Sequence, residues 1–213
     1  MADTVAHSLG PIFLSASVPL PGRGQVYLST ANILGIREAV AALTVVVLPT
    51  DRLVFGGHPA ISPLVHLAAE RLGAADRVYI YQSAFFQSVI PPSSLRFRHI
   101  IWTPPGVDRS SSLLRMREQM IGSEDFRAGV FIGGMDGVEE EFELFRRHHP
   151  KAALLAVAST GAAARVIFDR EPWGVKDVGL KFDAAYASLF RRLLSRAAGS
   201  TPPPAGLPPL RGP

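Results

Sequence analysis

Short apolar runs and segments of helical periodicity alternate along most of the chain. Apolar runs bounded by Gly or Pro are typical of buried strands, whereas apolar residues that recur at helical spacing indicate helices covering a core. This pattern predicts strands at residues 12–18, 52–57, 77–86, 99–103, 129–132 and 153–158, and helices at residues 31–48, 62–72, 111–121, 138–149, 161–168 and 182–196. Residues 19–30, rich in Pro and Gly, are predicted to form a loop.

The order of these elements predicts an α/β fold. Strands that alternate with helices favour a mostly parallel sheet with helices on both faces, which is a Rossmann-like three-layer sandwich. A chain of 213 residues is long enough for one domain with a sizeable core, and we expect that domain to span residues 1–198. Residues 199–213 are rich in proline and are predicted to form a flexible tail.

The composition narrows the classes of function. Hydrophobic residues make up 47% and charged residues 19% of the chain, as in a packed globular protein. The net charge is only +4, arginine supplies most of the positive charge, and no basic runs occur, which argues against nucleic-acid binding. The absence of cysteine excludes disulfides, zinc–thiolate sites and cysteine nucleophiles.

Neither a targeting segment nor a metal site is predicted. Residues 1–20 lack the basic start of a secretory signal, and no apolar run is long enough to cross a membrane, so we expect a cytoplasmic protein. His148 and His149 are interpreted as a solvated helix end rather than as a ligand pair. We predict no metal and no cofactor. The amphipathic segment 182–196 and the aromatic run 79–86 are candidate surfaces for a homo-oligomer.

The first candidate binding motif is the glycine turn after the second predicted strand. In a parallel sheet, ligands bind beyond the carboxyl ends of strands, and glycines there let the backbone approach a ligand closely. The candidate binding residues are Gly56, Gly57, His58 and Ser62. Ser62 begins a helix, so its hydroxyl is predicted to cap that helix, to bind a phosphate, or to do both.

The second candidate motif is the glycine turn after the strand at residues 129–132. Its candidate binding residues are Gly133, Gly134, Met135, Asp136 and Gly137. Three glutamates follow, which we place in the first turn of the next helix, where they complement its dipole. Because carboxylates repel phosphate, we expect Asp136 and either Glu140 or Glu141 to face a sugar or base, where a carboxylate can also stabilise a ribosyl cation.

Two further groups complete the candidate site. Ser15 and Ser17 end the first strand at the edge where both glycine turns are expected, so they are candidate ligand-binding residues. Arg115 and Arg117 lie two positions apart on a predicted helix and therefore cannot both face one site. We expect one of them to contact a phosphate or carboxylate.

The order of these motifs resembles that of the SLOG superfamily, which includes the Lonely-guy phosphoribohydrolases and the Smf proteins. The resemblance rests on LVFGGHPAISPLV, MREQM and VFIGGMDGVEEEF, and it covers about residues 12–168. It implies a Rossmann-like fold and a nucleotide ligand. The Lonely-guy pattern is a Gly-Gly strand end, then Arg-Lys-x-x-Met, then Pro-Gly-Gly-x-Gly-Thr-x-x-Glu.

On this resemblance the catalytic glutamate falls on Glu141, with Glu140 as the alternative and Arg117 as the candidate phosphate ligand. The chain also departs from the pattern. Asp136 is an extra residue inside the turn, Val138 replaces a phosphate-binding threonine, and the family arginine has no unambiguous match in the helix.

The glycine-turn sequences are more similar to SLOG branches found in bacterial conflict systems. There the domains are associated with TIR or Sir2 effectors and are similar to sensors of cyclic ADP-ribose-type signals. The resemblance implies an antiphage sensor of an ADP-ribose or cyclic-nucleotide-like signal, with such an effector as its partner. Two alternatives stay open: a nucleotide N-glycosidic hydrolase and a non-catalytic interaction scaffold.

Overall fold

The computed structural model describes residues 10–22, 24–174 and 177–199. Its strands form a six-stranded sheet in the order β4-β3-β2-β1-β5-β6, and every strand pairing is parallel. The strands are β1 (Ile12–Ser17), β2 (Leu53–Gly56), β3 (Val78–Ser83), β4 (His99–Thr103), β5 (Ala128–Gly133) and β6 (Ala153–Val157). The predicted parallel α/β sheet is therefore confirmed. Residues 1–9 and all but the first residue of the predicted tail lie outside the described residues.

Helices cover both faces of this sheet. They are α1 (Gln25–Leu28), α2 (Ile33–Val47), α3 (Ser62–Arg71), α4 (Arg109–Ile121), α5 (Asp136–His148), α6 (Ala162–Arg170), α7 (Gly179–Phe182) and α8 (Tyr186–Gly199). Buried residues of α2, α3 and α8 form one hydrophobic core with the sheet, and those of α4, α5 and α6 form a second. The two cores make the three-layer sandwich that the sequence predicts.

The alternation of side chains along a strand explains why β1 contributes residues to both cores. Ile12 and Leu14 belong to the core under α2, whereas Phe13 between them belongs to the core under α5. Successive side chains of a strand point to opposite faces, so an unbroken apolar run is what a strand covered on both sides requires. In the second core the ring of Phe13 stacks on that of Phe145, with centroids 5.2 Å apart.

The predicted helix at residues 31–48 is confirmed, including its β-branched end. Ile36, Val40, Leu43 and Val47 are all buried on the side that faces the sheet, which is the spacing of one helical face. The side chain of Asn32 caps the helix by accepting a hydrogen bond from the Gly35 amide at 2.9 Å. Packing against the sheet outweighs the strand preference of the valines.

Most predicted boundaries lie within one or two residues of the observed ones, and three predicted elements differ by more. The loop at residues 19–30 contains the short helix α1, and β3 ends at Ser83 because residues 84–89 form a 3₁₀ helix. The single helix predicted at residues 182–196 is two helices, interrupted where Asp183 is extended and accepts a hydrogen bond from the Ala185 amide. Phe182, the first residue of the predicted helix, is consequently separated from α8 and is 72% exposed.

The apolar face of α8 is also not the open surface expected of an oligomer interface. Its buried residues include Leu189, Phe190 and Leu193, which pack in the core that α2 shares with the sheet.

Within the part of the chain that the structure describes, none of the helices combines the length and the apolar character that crossing a bilayer requires.

Candidate functional site

A crevice opens at the carboxyl edge of the sheet, where the strand order reverses. The chain runs outward from β1 through β2 and β3 to β4, then returns to place β5 on the other side of β1. The connections that leave β1 and β5 therefore diverge, which is where open α/β sheets bind their ligands. The cavity there has a volume of about 160 Å³ and is lined by Leu14, Ser15, Ala16, Ser17, Gly56, Gly57, His58, Leu113, Met116, Arg117, Gly137, Val138 and Glu141.

The crevice brings together residues that the sequence separates widely. Eight of the fourteen predicted site residues line it: Ser15, Ser17, Gly56, Gly57, His58, Arg117, Gly137 and Glu141. They come from the ends of β1 and β2 and from helices α4 and α5. The carboxyl ends of parallel strands share one edge, so the convergence of both glycine motifs follows from the sheet topology.

Glu141 supplies the carboxylate in the lining of this crevice. Its Oε2 accepts a hydrogen bond from the Ser15 hydroxyl at 2.6 Å, and its Oε1 lies 3.3 Å from Nε of Arg117. The Glu141 and Arg117 side chains are each only 13% exposed. The carboxylate is therefore oriented from both sides while one surface still faces the cavity.

Burial raises the pKa of the Glu141 carboxyl group above its ordinary value. The charge of Arg117 and the hydrogen bonds from Ser15 and Arg117 oppose this shift without cancelling it, and the Glu140 carboxylate adds to it. A carboxyl group with a raised pKa becomes protonated at a higher pH than an ordinary one. It can then either accept or donate a hydrogen bond to a ligand hydroxyl.

Arg117 is held between two carboxylates and a glycine. Its Nη1 contacts Glu140, while a methyl group added at Gly137 would lie 2.8 Å from its Nη2. Gly137 therefore provides the space in which the guanidinium crosses the first turn of α5. Among the described residues, Nη2 has no hydrogen-bond partner, so one donor remains for an anion. Arg115 points elsewhere, donating to the Pro105 carbonyl, as its spacing from Arg117 predicts.

Gly57 and His58 form the opposite wall. A side chain at Gly57 would overlap the amide group of Gln82. Nδ1 of His58 lies 3.2 Å from the Ala60 amide, which donates to it, and burial lowers the pKa of the imidazole. The neutral ring with Nε2 protonated satisfies both observations, so His58 offers the crevice a hydrogen-bond donor.

Gly133 and Gly134 build the turn instead of lining the crevice. Both have positive φ angles, of 56° and 89°. The Gly133 amide donates to the Thr160 hydroxyl at 2.9 Å, and the Gly134 amide donates to the Ser17 carbonyl at 2.8 Å. These amides are occupied within the protein, so the two glycines serve the shape of the turn.

Met135 and Asp136 face a neighbouring cavity of about 260 Å³ that Gly24 and Tyr27 also line. The Tyr27 hydroxyl donates to Glu139 at 2.6 Å. Burial, that hydrogen bond and the nearby carboxylates raise the pKa of Tyr27 to about 12. The first turn of α5 thus separates two cavities.

The placement of the three glutamates in the first turn of α5 is wrong, and so is the capping role, one of the two considered for Ser62. Helix α5 begins at Asp136, so its first turn contains Asp136 and Glu139 while Glu140 and Glu141 lie further along, and Glu140 is 59% exposed outside the crevice. Ser62 does not cap α3, because Ile61 occupies the N-cap position with no side-chain bond. The Ser62 hydroxyl is instead buried and, within the described part of the chain, has no partner.

Sequence reasoning missed seven residues that line these cavities: Leu14, Ala16, Gly24, Tyr27, Leu113, Met116 and Val138. Leu113 and Met116 line the crevice, and Tyr27 lines the neighbouring cavity. The methionine lay within the recognised MREQM motif and could have been included. Tyr27 lies in the segment predicted to be a loop, where no periodicity indicated which side chain would turn inward.

Comparison with known proteins gives one match that spans most of the chain. The model of the SLOG cluster3 family matches residues 26–194, which includes every helix from α2 to α7 and most of α8. No curated protein matches the chain.

Proposed function

Because the chain belongs to the SLOG cluster3 family, we propose that its crevice binds a nucleotide-derived ligand and that the domain senses this ligand without consuming it. The family and the parallel sheet support a nucleotide-related Rossmann-like domain. The observation that carries the finer proposal is the cluster of Ser15, Arg117 and Glu141 inside the crevice. Such a cluster offers fixed donors and acceptors to a sugar phosphate.

The two cavities beside the first turn of α5 suggest how such a ligand is placed. Nη2 of Arg117 is available for a phosphate oxygen, and the Glu141 carboxyl group for a ribose hydroxyl. Nε2 of His58 supplies a donor from the opposite wall. A base or second sugar would extend past Asp136 into the cavity beside Tyr27. An ADP-ribose or cyclic-nucleotide-like signal has this combination of groups.

The ion pairs that Arg117 makes favour sensing of the ligand over its turnover. Its guanidinium is engaged by Glu140 and Glu141, so a phosphate must compete with two carboxylates for it. Val138 stands where the Lonely-guy pattern has a phosphate-binding threonine. Both features weaken the positioning of a phosphate for chemistry, whereas binding needs only the remaining Nη2 donor of Arg117.

A second candidate is hydrolysis of the N-glycosidic bond of a nucleotide, favoured by the position of Glu141 in the crevice. In that reaction water would attack the ribosyl carbon, the carbon–nitrogen bond would break, and the base would leave with a proton. The Glu141 carboxylate would stabilise the ribosyl cation.

Binding is tested by calorimetric titration with AMP, NAD, ADP-ribose and cyclic ADP-ribose. At least one of them should bind, and Arg117→Met should weaken that ligand by about tenfold or more, the loss expected for one charge-assisted hydrogen bond. The matched control is Arg115→Met, on the same helix but outside the crevice. Failure of all four ligands to bind, or equal affinity in the two variants, would refute the proposal and favour an interaction scaffold.

Turnover is tested on the same ligands by chromatography after long incubation. Recovery of intact ligand supports a sensor. Release of free base that disappears in Glu141→Gln supports the hydrolase instead.

From the resemblance to SLOG domains of conflict systems, we further propose that the partner is a TIR or Sir2 effector in a bacterial antiphage system. The test is effector activity measured with this chain, with and without the bound nucleotide. A ligand-dependent change that Arg117→Met abolishes would support the pairing, and an unchanged effector would contradict it.

A further inference from the structure

A larger cavity, separate from the two described above, lies beyond the carboxyl end of β6. Its volume is about 520 Å³, which is within the range of ligand sites, and it shares no lining residue with the crevice. Its walls come from the α1–α2 connection, the start of α6 and the α7–α8 connection: Thr30, Asn32, Ala158, Ser159, Gly161, Arg165, Asp169, Lys181, Phe182, Ala184 and Tyr186. Nothing in the proposed function of the crevice uses these residues.

Hydrogen bonds between separate segments fix one wall of this cavity. The Thr30 hydroxyl accepts a hydrogen bond from the backbone amide of Ala162 at 3.0 Å. The backbone amide of Asn32 donates to the Thr160 carbonyl, also at 3.0 Å. Among the described residues, Ala162 is the only non-glycine residue with a positive φ, of 55°. The connection before α2 therefore holds the start of α6 in a conformation that alanine seldom adopts.

The cavity carries an excess of positive charge. Nε of Arg165 lies 2.5 Å from Oδ2 of Asp169, and Nζ of Lys181 lies 3.8 Å from Oδ1 of the same carboxylate. One carboxylate thus serves two cations and leaves a net positive charge. Among the described residues, Nη1 and Nη2 of Arg165 have no partner, and together they match the fork geometry of a phosphate or carboxylate.

An aromatic ring and two hydroxyl groups complete the lining. Phe182 lines the cavity although its side chain is 72% exposed, and Nζ of Lys181 lies 5.6 Å from its ring centroid. The Ser159 and Tyr186 hydroxyl oxygens are 3.4 Å apart. An exposed ring beside a cation is a surface on which a planar ligand can stack.

We propose that this cavity is a second ligand site, which takes a small phosphate-bearing molecule with a planar ring. The phosphate binds the guanidinium of Arg165 with Lys181 beside it, and the ring stacks on Phe182. This site is separate from the crevice, so it operates whether or not the crevice binds its own nucleotide.

The test is an amide-resolved NMR titration of the full chain with AMP and, separately, with inorganic phosphate. Saturable shifts of the Ser159 and Gly161 amides report this cavity, whereas shifts of the Gly57 and His58 amides report the crevice. We expect AMP to shift Ser159 and Gly161 and inorganic phosphate to do so more weakly. The separate reporters distinguish failure of this proposal from failure of the proposed function.

Two variants test separately whether Arg165 binds the phosphate and whether Phe182 stacks on the ring. Arg165→Gln should weaken AMP and phosphate by tenfold or more, whereas Phe182→Ala should weaken AMP alone. Arg191→Gln changes an exposed arginine of α8 that does not line the cavity, so it should bind like the parent chain. Absence of shifts at Ser159 and Gly161, or equal affinity in Arg165→Gln and Arg191→Gln, would overturn the proposal.

Discussion

Replacing Arg117 with methionine isolates the charge that stabilises the crevice carboxylate. Methionine has a similar length and a similar helix propensity, so the change in α4 itself should be small. It removes the guanidinium that lies 3.3 Å from Glu141 and also contacts Glu140. Glu140 is 59% exposed and can be solvated, whereas Glu141 is 13% exposed and retains only the Ser15 hydroxyl. The loss of stability in Arg117→Met should therefore come mainly from Glu141, whose carboxylate is left without a charged partner.

The size of the loss follows from the burial of the pair. Removing one partner of a fully buried ion pair costs about 3–5 kcal/mol. Here both side chains keep some exposure and one hydrogen bond to the carboxylate remains. We therefore expect Arg117→Met to lower the free energy of unfolding by about 2 kcal/mol at pH 7.5, a roughly 30-fold fall in the folding equilibrium constant.

The loss should shrink as the pH falls. The pKa of Glu141 is already above its ordinary value of 4.5, and removing Arg117 takes away the charge that lowers it, so the pKa rises further. A group whose folded pKa exceeds its unfolded pKa favours the folded state below the unfolded pKa and loses that contribution as the pH rises through the folded pKa. The deficit of the variant is therefore smaller at pH 5 than at pH 7.5.

Urea denaturation at the two pH values measures the effect, with Arg115→Met as control. Arg115 is exposed, and among the described residues it bonds the Pro105 carbonyl alone, so its replacement should change stability by less than about 0.5 kcal/mol at either pH. The double variant Arg117→Met/Glu141→Gln lacks the unpaired carboxylate and should regain most of the loss. Equal losses in the two single variants, or a deficit that does not change with pH, would refute this reasoning.

Three further substitutions test the surroundings of the crevice. Gly134→Ala should cost about 3 kcal/mol in chemical denaturation, because φ is positive there and the new methyl group would overlap Val138; a loss below that of an ordinary surface change would contradict the structural role. Thr160→Val leaves the buried Gly133 amide without its acceptor and should cost about 1–3 kcal/mol; unchanged stability would mean that this amide is bonded otherwise. Ser62→Ala removes a buried hydroxyl that has no partner among the described residues, so the melting temperature should stay the same or rise; a clear fall would reveal a hidden bond.

Local patterns were sufficient to predict the layers and the convergence of the candidate motifs at one edge of the sheet. Parallel topology follows from the alternation of strands and helices, and it places the ends of β1, β2 and β5 at one edge. Ser15 and Gly56 could therefore be expected at a common crevice although 41 positions separate them in the sequence. Gly133 was assigned to the same site, but its amide is used by Thr160, which no sequence pattern indicates.

Contacts between helices could not be predicted from the sequence patterns. Arg117 and Glu141 meet because α4 and α5 pack side by side on one face of the sheet, and helical spacing alone does not specify that packing. Matching by family motif left the arginine unassigned, whereas the geometry places Arg117 beside the glutamate. Tyr27 was missed because a helix of four residues carries too little periodicity to detect.

A co-crystal structure with the tightest-binding nucleotide tests the central claim most directly. The account predicts that the ligand lies in the crevice between Gly57 and Gly137, with a phosphate oxygen about 3 Å from Nη2 of Arg117 and a sugar hydroxyl at a similar distance from Glu141. A crevice that stays empty, with Arg117 still closed on both carboxylates, would contradict it even if the nucleotide bound at another surface.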